Sequence, residues 1–415
     1  MDFRTKLKKF FHNRWATICR RWHYVAVTIP FLVATAGIVF TVFSIVRINQ
    51  VLDGQSFQYR AEYYGSKAAP YRHVTVLSKG LEQNDLSAPR AMNGGLNLEA
   101  YTKIHEALDL TEKSGNSTGN RSQSLSGNAD TLWMDCYSST AFYPVNGFVG
   151  KELQGSVPGC EIVGVGGAYG TIHPFRYESG GFLETEMNNS YTAVLNTQLA
   201  WNLFHSYDVL GMTVEIGGIR YDVVGVVCEG DDEIAEATDV TKPRAYVYFP
   251  ELAKLINRSS MPTAMNADGD KATGVKKEDL AITSYEALLA DPIKNIAYND
   301  LIKALTDTIG YSKDTCTTLE IINNTGRFNV LRLKDKFFPL KSSVSPINGI
   351  TVPYQERSAR LAEQYVLFWA EVLIVSGIAL ITGLGGVYCA LHGRKTKHEI
   401  IYVDEEEQPL EIRRV

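Results

Sequence analysis

The sequence lacks the residue patterns of an enzyme or of a nucleotide-binding protein. GFVGK at 147–151 does not have the glycine spacing of a phosphate-binding loop and is followed by Glu152 instead of serine or threonine. The letters G-x-S-x-G occur at 115–119, but in a polar stretch and not at a turn between a strand and a helix. GVGGAYG at 164–170 carries Tyr169 where a dinucleotide-binding motif needs its third small residue. We therefore expect no catalytic residue, no bound cofactor and no enzymatic activity.

Metal-ligand spacing is missing as well. The acidic runs at 229–236 and 266–270 do not follow the loop spacing of a dedicated calcium site, so we expect them to be solvated loops. The histidines of the central region are scattered and share no ligand spacing, so we expect packed or surface histidines and no metal site. These histidines are His73, His105, His173 and His205.

An excess of positive charge is absent from the greater part of the chain. The net charge is −5; residues 1–23 contribute +6 and residues 392–415 contribute −1, which leaves −10 for the stretch between them. An acidic stretch of this kind argues against a nucleic-acid partner and against docking onto anionic lipid.

Charge of either sign is absent from one long apolar stretch and almost absent from another. Residues 24–46 have no charged side chain, and residues 365–391 have only Glu371. A helix of either length spans a hydrocarbon core of about 30 Å and satisfies its own backbone hydrogen bonds in lipid. We predict transmembrane helices at 24–46 and 365–391. A cleaved signal peptide is the alternative for the first, because Ala34 to Ala36 matches a cleavage pattern.

Basic residues flank both predicted spans on one side. The segment 1–23 is basic, and Arg394, Lys395 and Lys397 follow the second span. The positive-inside rule therefore predicts cytoplasmic termini, an extracytoplasmic domain at 47–364 and a cytoplasmic tail at 392–415. The segment 1–23 also carries aromatic residues, so it either lies along the inner interface as an amphipathic helix or only obeys this rule.

The predicted extracytoplasmic domain has α+β character. Asn97 is placed to cap a helix from Leu98, and Asn196 a second one. Gly217-Gly218 separates two alternating runs, which predicts a hairpin. Residues 251–315 are polar with helical spacing at their end, so we predict a helical insertion there. The expected fold class is α+β, with two transmembrane helices flanking a large mixed α/β domain.

Cysteines and small residues supply the remaining candidate sites. Four cysteines on the oxidising side allow two disulfides in three connectivities, and free buried thiols are the alternative. These are Cys136, Cys160, Cys228 and Cys316. Small residues four apart in the second span predict a helix-packing face, and Glu371 predicts a polar contact inside the membrane or at its interface. The small residues are Ala379, Gly383, Gly386 and Ala390.

Residues 180–227 carry a resemblance to a known family. They begin with GGFL, continue with a strand and helix around AVLNTQLAWNLF, and close with a hairpin that ends in VVGVV. With the basic N-terminus, the first span, the strand YVYFP and the return span, this order resembles the extracytoplasmic core domain of the MacB family. That family comprises macrolide-exporter and lipoprotein-releasing permeases of ABC transporters and is distantly related to the FtsX permease. The resemblance covers most of residues 24–391.

The resemblance implies a non-enzymatic, permease-like subunit of an ABC-type transporter or mechanotransmission complex in a prokaryotic plasma membrane. Its expected partners are a membrane permease subunit, an ABC ATPase bound through that subunit, and the lipid bilayer. Permeases of the family have four spans and bind the ATPase beyond the second, whereas this sequence ends 24 residues after its second predicted span. It therefore resembles half of a permease. The alternative is a stand-alone membrane-anchored sensor or binding protein with a MacB-like ectodomain.

Overall fold

A computed structural model describes residues 3–65, 70–81, 90–91, 95–116, 133–184, 191–230, 232–238, 242–259, 280–313, 318–329, 350 and 352–406. The chain forms two compact units, Met1–Gln50 with Tyr365–Val415, and Val51–Gln364. The second unit corresponds to the predicted extracytoplasmic domain. We call it the sheet unit, and we call the first the helix-pair unit.

The described part of the chain contains nine α-helices and twelve strands. The helices are α1 (Phe3–Asp53), α2 (Arg60–Tyr64), α3 (Leu98–Asn116), α4 (Tyr169–Ile172), α5 (Thr197–Phe204), α6 (Glu233–Ala237), α7 (Phe249–Ser259), α8 (Ile296–Ile309) and α9 (Tyr354–Glu406). The strands are β1 (Tyr71–Ser78), β2 (Gly80–Leu81), β3 (Arg90–Ala91), β4 (Met134–Val149), β5 (Glu152–Gly167), β6 (Arg176–Gly180), β7 (Thr192–Asn196), β8 (Thr213–Ile216), β9 (Ile219–Cys228), β10 (Arg244–Tyr248), β11 (Ser284–Ala290) and β12 (Leu319–Asn323).

Among the described residues, two helices are long and apolar enough to cross a membrane, and each contains one of the predicted spans. The qualifying segments are Tyr24–Asp53 in α1 and Tyr354–His392 in α9. Both helices extend beyond them: α1 begins at Phe3, within the predicted basic segment, and α9 continues to Glu406, within the predicted tail.

Ten strands form one mixed sheet in the described part of the sheet unit. The order is β12-β1-β11-β4-β5-β10-β7-β9-β6, and β8 pairs with both β4 and β9. Most neighbours are antiparallel, but β10 runs parallel to β5 and β7 parallel to β9. The long β4–β5 hairpin lies at the centre and brings both halves of the sheet together.

Two predicted helix caps and the predicted hairpin turn are present in the structure. Asn196 accepts a hydrogen bond from the backbone N–H of Leu199 at 2.9 Å and caps α5, and Asn97 does the same for α3 through Ala100 at 2.8 Å. Gly217 and Gly218 have φ of 55° and 79° and join β8 to β9, because a two-residue hairpin turn needs positive φ at both positions.

The sheet has a core on each face. One cluster of buried side chains includes Ile104 of α3, Leu203 of α5, Leu252 of α7 and Leu301 of α8, so these four helices cover that face. The other cluster holds Tyr169 of α4 and two further tyrosines, Tyr246 of β10 and Tyr354 of α9. The start of α9 therefore belongs to the second core.

The predicted helical insertion at 251–315 is wrong in its central part. The described residues there include β11, which lies between β1 and β4 in the sheet. Every residue of β11 is buried, so its sequence SYEALLA shows no strand alternation and reads as a helix segment. The helix that follows begins at Ile296, and Asp291 accepts a hydrogen bond from the N–H of Ala297 at 3.2 Å.

Candidate functional site

The start of α9 is buried among polar side chains of the sheet unit. In the stretch up to Gln364, polar and charged residues that ordinarily face water are instead almost fully covered. They are Gln355, Glu356, Ser358, Arg360 and Glu363. Buried groups of this kind need partners, and three clusters of contacts in the sheet unit supply them.

The first cluster is built on Arg327. Its guanidinium donates to both carboxylate oxygens of Glu356, at 2.5 and 2.8 Å, and to Glu363. Arg360 donates to Glu356 and to Glu320 of β12, both at 2.7 Å. Burial alone raises the pKa of Glu356, but the two arginines outweigh it and hold the pKa below its ordinary value. Two cations and three anions therefore fix the first turns of α9 to the edge of the sheet.

The second cluster is built on Arg244, which is completely buried. Arg244 and Glu161 lie opposite each other on the parallel strands β10 and β5, and the guanidinium donates to Glu161 and to Glu229. Its central carbon lies 4.1 Å from the ring centre of Tyr354, the first residue of α9. The Tyr246 hydroxyl donates to Glu229. Burial outweighs Arg244 and raises the pKa of Glu229 above its ordinary value.

The third cluster surrounds Glu286 of β11. His73 Nε2 is hydrogen-bonded to one carboxylate oxygen at 2.9 Å and His173 Nε2 to the other at 3.1 Å. Burial raises the pKa of Glu286, but the two imidazoles outweigh it and the pKa lies well below its ordinary value. The Tyr169 ring lies 4.3 Å from that of His173, and its hydroxyl accepts a hydrogen bond from Gln355 of α9 at 2.7 Å. This cluster therefore also reaches α9.

The predicted disulfides are not formed among the cysteines that the structure describes. Cys136 and Cys160 are buried with free thiols, and neither they nor Cys228 lie within bonding distance of one another. The first two lie on opposite faces of the sheet, in different core clusters. Cys228 instead accepts a hydrogen bond from Arg176 at 3.1 Å. Cys316 lies outside the described residues. The alternative of free buried thiols therefore applies to Cys136 and Cys160.

The predicted helix-packing face is occupied by α1 of the same chain. A Cβ placed on Gly383 would lie 2.5 Å from the backbone nitrogen of Ala34, and one on Gly386 would lie 2.8 Å from Pro30. The Thr41 and Ser376 hydroxyls are hydrogen-bonded at 2.9 Å. Ala379 and Ala390 are half-buried. Gly383 and Gly386 thus lie at a close contact between α1 and α9 within the helix-pair unit, and the predicted packing role of the whole face stays a prediction.

Glu371 lies half-buried on α9 in the helix-pair unit. Its Oε1 is covered and has no hydrogen-bond partner among the residues that the structure describes. The predicted polar contact at this position stays a prediction.

Sequence reasoning missed the charged clusters. Arg244 precedes the apolar strand sequence AYVYF, and a charge at the start of such a strand is a weak signal of a buried ion pair. The partners of Arg327 lie 29 and 36 residues further along the chain, in α9, which also contains the second predicted span. No local spacing rule connects such positions. His73 of β1 and His173 at the end of α4 are far apart in the sequence, but both contact Glu286 in the fold.

Comparisons with known proteins identify the family of the chain. Residues 31–282 match the family model described as MacB-like periplasmic core domain. Two similar solved structures are the periplasmic region of MacB from Actinobacillus actinomycetemcomitans and the extracellular domain of the noncanonic ABC-type transporter YknZ from Gram-positive bacteria. The first is 14% identical with a TM-score of 0.35, covering 64% of this chain and 92% of its own. The second is 11% identical with a TM-score of 0.35, covering 60% and 100%. No curated protein matches the chain. The matched residues make up more than half of the sequence, and the chain belongs to the MacB-like periplasmic core domain family.

Proposed function

We propose that the chain is a permease-like, non-enzymatic subunit of an ABC-type transporter or mechanotransmission complex. In this function the sheet unit engages substrate or a partner outside the membrane, and α9 carries the resulting movement into the bilayer. The observation that supports it is the burial of the first turns of α9 in the sheet unit. A helix joined to a domain by a flexible linker does not transmit displacement, whereas this one begins inside the core.

The strength of that attachment follows from its chemistry. Removing one partner of a buried ion pair costs about 3 to 5 kcal/mol, because the other charge is left without compensation. The Arg327 cluster holds α9 through ion pairs with Glu356 and Glu363, and Arg244 adds a cation–π contact with the ring of Tyr354. With a rise of about 1.5 Å per residue, the 53 residues of α9 measure about 80 Å. Movement of the anchored turns is therefore carried along a stiff element.

Topology and partners complete the proposal. The basic flanks favour cytoplasmic termini with the sheet unit outside a prokaryotic plasma membrane. The proposed partners are a membrane permease subunit, an ABC ATPase bound through it, and the lipid bilayer. Nucleic acid is not among them, since the region between the two ends is acidic.

The partner surface in the membrane is tested by photo-crosslinking. The face of α9 away from α1 is apolar and exposed, and Ile381 is 72% exposed there. A photo-reactive amino acid at Ile381 is expected to form one adduct of constant mass with a second membrane protein in cells. The complex, extracted in mild detergent, is expected to hydrolyse ATP. Cells kept in the dark are the control. A monomer in native mass spectrometry, with adducts only to lipid, would contradict the proposal.

A stand-alone membrane-anchored sensor is the second candidate, and one observation favours it. The small residues of α9 are covered by α1 of the same chain, so their spacing does not require another subunit. A surface groove of about 510 Å³ beside α4 offers a place for a ligand. Its lining includes Gly170, Tyr177, Phe182 and Glu184. The monomer outcome of the crosslinking experiment selects this candidate.

A further inference from the structure

A cysteine thiol lies beside Glu286, and the contacts that hold the start of α9 do not use it. Cys136 of β4 lies directly opposite Glu286 in the pairing of β4 with β11, and His173 follows α4. One donor atom from each of Cys136, His173 and Glu286 lies within 4.8 Å of the others. A thiol, an imidazole and a carboxylate thus converge from three separate elements.

We propose that Cys136, His173 and Glu286 bind a Zn²⁺ ion. Sulfur, imidazole nitrogen and carboxylate oxygen are the donors that zinc takes in proteins, at about 2.0 to 2.3 Å and in tetrahedral geometry. That geometry places neighbouring donors about 3.5 Å apart. The three donors lie within 4.8 Å of one another, and His173 Nε2 is already 3.1 Å from Glu286 Oε1.

Burial and geometry support a ligand here. His73 and His173 are 1% and 3% exposed, and the Nε2 atoms of both face the carboxylate of Glu286. A metal ion between His173 Nε2 and Glu286 Oε1 takes the place of the hydrogen bond between them, and His73 Nε2 stays on Oε2.

A position for a fourth donor is also present. A cavity of about 10 Å³, room for about one water molecule, adjoins His173 and Glu286. Metal-bound water there completes a tetrahedron made with three protein ligands. His73 is hydrogen-bonded to Glu286 Oε2, the oxygen that does not face His173, and it orients the carboxylate, as partners of metal ligands commonly do.

Proton balance follows from the ligand set. Zinc binds the thiolate of Cys136, so the thiol proton passes to solvent as the zinc–sulfur bond forms, and His173 carries its ring proton on Nδ1 when Nε2 is the ligand. No electron is transferred. The cavity is also lined by Gln355 and Glu356, so a bound ion lies against the anchored start of α9 and is expected to stabilise that attachment.

Cobalt spectroscopy on the full chain tests the site, because Co²⁺ reports a sulfur ligand by its thiolate charge-transfer absorption. Detergent-purified protein treated with a chelator is titrated with Co²⁺ and then with Zn²⁺. We expect one equivalent to produce the absorption, Zn²⁺ to displace it, and Zn²⁺ but not Mg²⁺ to raise the Tm. Cys136→Ser is expected to abolish the absorption and to weaken Zn²⁺ binding at least about tenfold.

Two matched controls separate this site from others. Cys160→Ser removes a buried thiol on the opposite face of the sheet, and His105→Gln removes the imidazole of another histidine–carboxylate pair, with Asp135. Both are expected to leave the absorption unchanged. No sulfur absorption in the folded wild-type chain, or an absorption that survives in Cys136→Ser, would overturn the proposal. If Cys136→Ser fails to fold, the Co²⁺ absorption of the wild-type chain and its change in Tm with Zn²⁺ still test whether the site binds metal through sulfur. The measurement needs no transporter partner, so it is independent of the proposed function.

Discussion

Replacing Arg244 with methionine tests whether the buried charge cluster holds the sheet unit together. Methionine keeps much of the volume but leaves Glu161 and Glu229 buried without a cation. Removing one member of a buried ionic cluster costs about 3 to 5 kcal/mol. Burial already raises the pKa of Glu229, and loss of the neighbouring guanidinium raises it further, which eases protonation of this carboxyl and relieves part of the repulsion. We therefore expect a loss near the lower end, about 3 kcal/mol.

The assay is thermal unfolding of the full chain in detergent, followed by tryptophan fluorescence. A unit of this size loses about 2 °C of Tm per kcal/mol, so Arg244→Met is expected to lower the Tm by about 6 °C. Arg220→Met is the control: Arg220 lies on β9, is half exposed and is 3.7 Å from Glu215. An exposed pair of that kind contributes about 0 to 1 kcal/mol, so its Tm should change by about 2 °C or less.

The comparison has a clear refuting result. Equal small shifts for Arg244→Met and Arg220→Met would show that the buried guanidinium is not needed to balance the two carboxylates. The statement that the Arg244 cluster stabilises the sheet unit and supports the contact of Arg244 with the Tyr354 ring would then be wrong.

Three further predictions address pH, topology and helix packing. Glu356→Gln is expected to lower the free energy of unfolding by about 3 kcal/mol near pH 7. Because the folded-state pKa of Glu356 is lowered, the stability that this carboxylate contributes is lost as pH falls below the ordinary value of 4.5. The Tm values of the wild type and the variant, measured from pH 7 to pH 3, should therefore converge. A cysteine placed at Ser124, in the polar stretch outside the described residues, should react with an impermeant reagent in intact cells, and labelling only after lysis would contradict the predicted topology. Gly383→Leu should destabilise the purified chain by about 1 to 3 kcal/mol, whereas Gly385→Leu, with no atom within 4 Å of its added Cβ, should not.

Local chemistry made much of the fold predictable. Long uncharged stretches, the caps at Asn97 and Asn196, and the Gly217-Gly218 turn each act over a few residues, and each produced the expected element. The family resemblance rested on the same local pattern. These signals depend on intrinsic backbone preferences and on the hydrophobic length of the bilayer, so they are present before any tertiary contact forms.

The features that the sequence analysis did not predict depend on tertiary contacts. The strand β11 is buried on both faces, so periodicity cannot distinguish it from a buried helix. Cys136, His173 and Glu286 meet only because β4 pairs with β11 and α4 folds over that face. The same reason accounts for the missing bridge between two of the cysteines: an oxidising compartment permits a disulfide, but Cys136 and Cys160 lie on opposite faces of the sheet.

The glycine comparison decides what the small-residue spacing in α9 means. Gly383 lies against Ala34 of α1, and a leucine side chain there forces the two helices apart. If that contact is the reason for the spacing, Gly383→Leu lowers the Tm of the chain even when it is purified alone, and Gly385→Leu serves as the matched control because it adds the same bulk on an open face. If Gly383→Leu instead leaves the isolated chain unchanged and weakens only its association with another membrane protein, the face belongs to a partner subunit, and the pairing of α1 with α9 is not what the glycine serves.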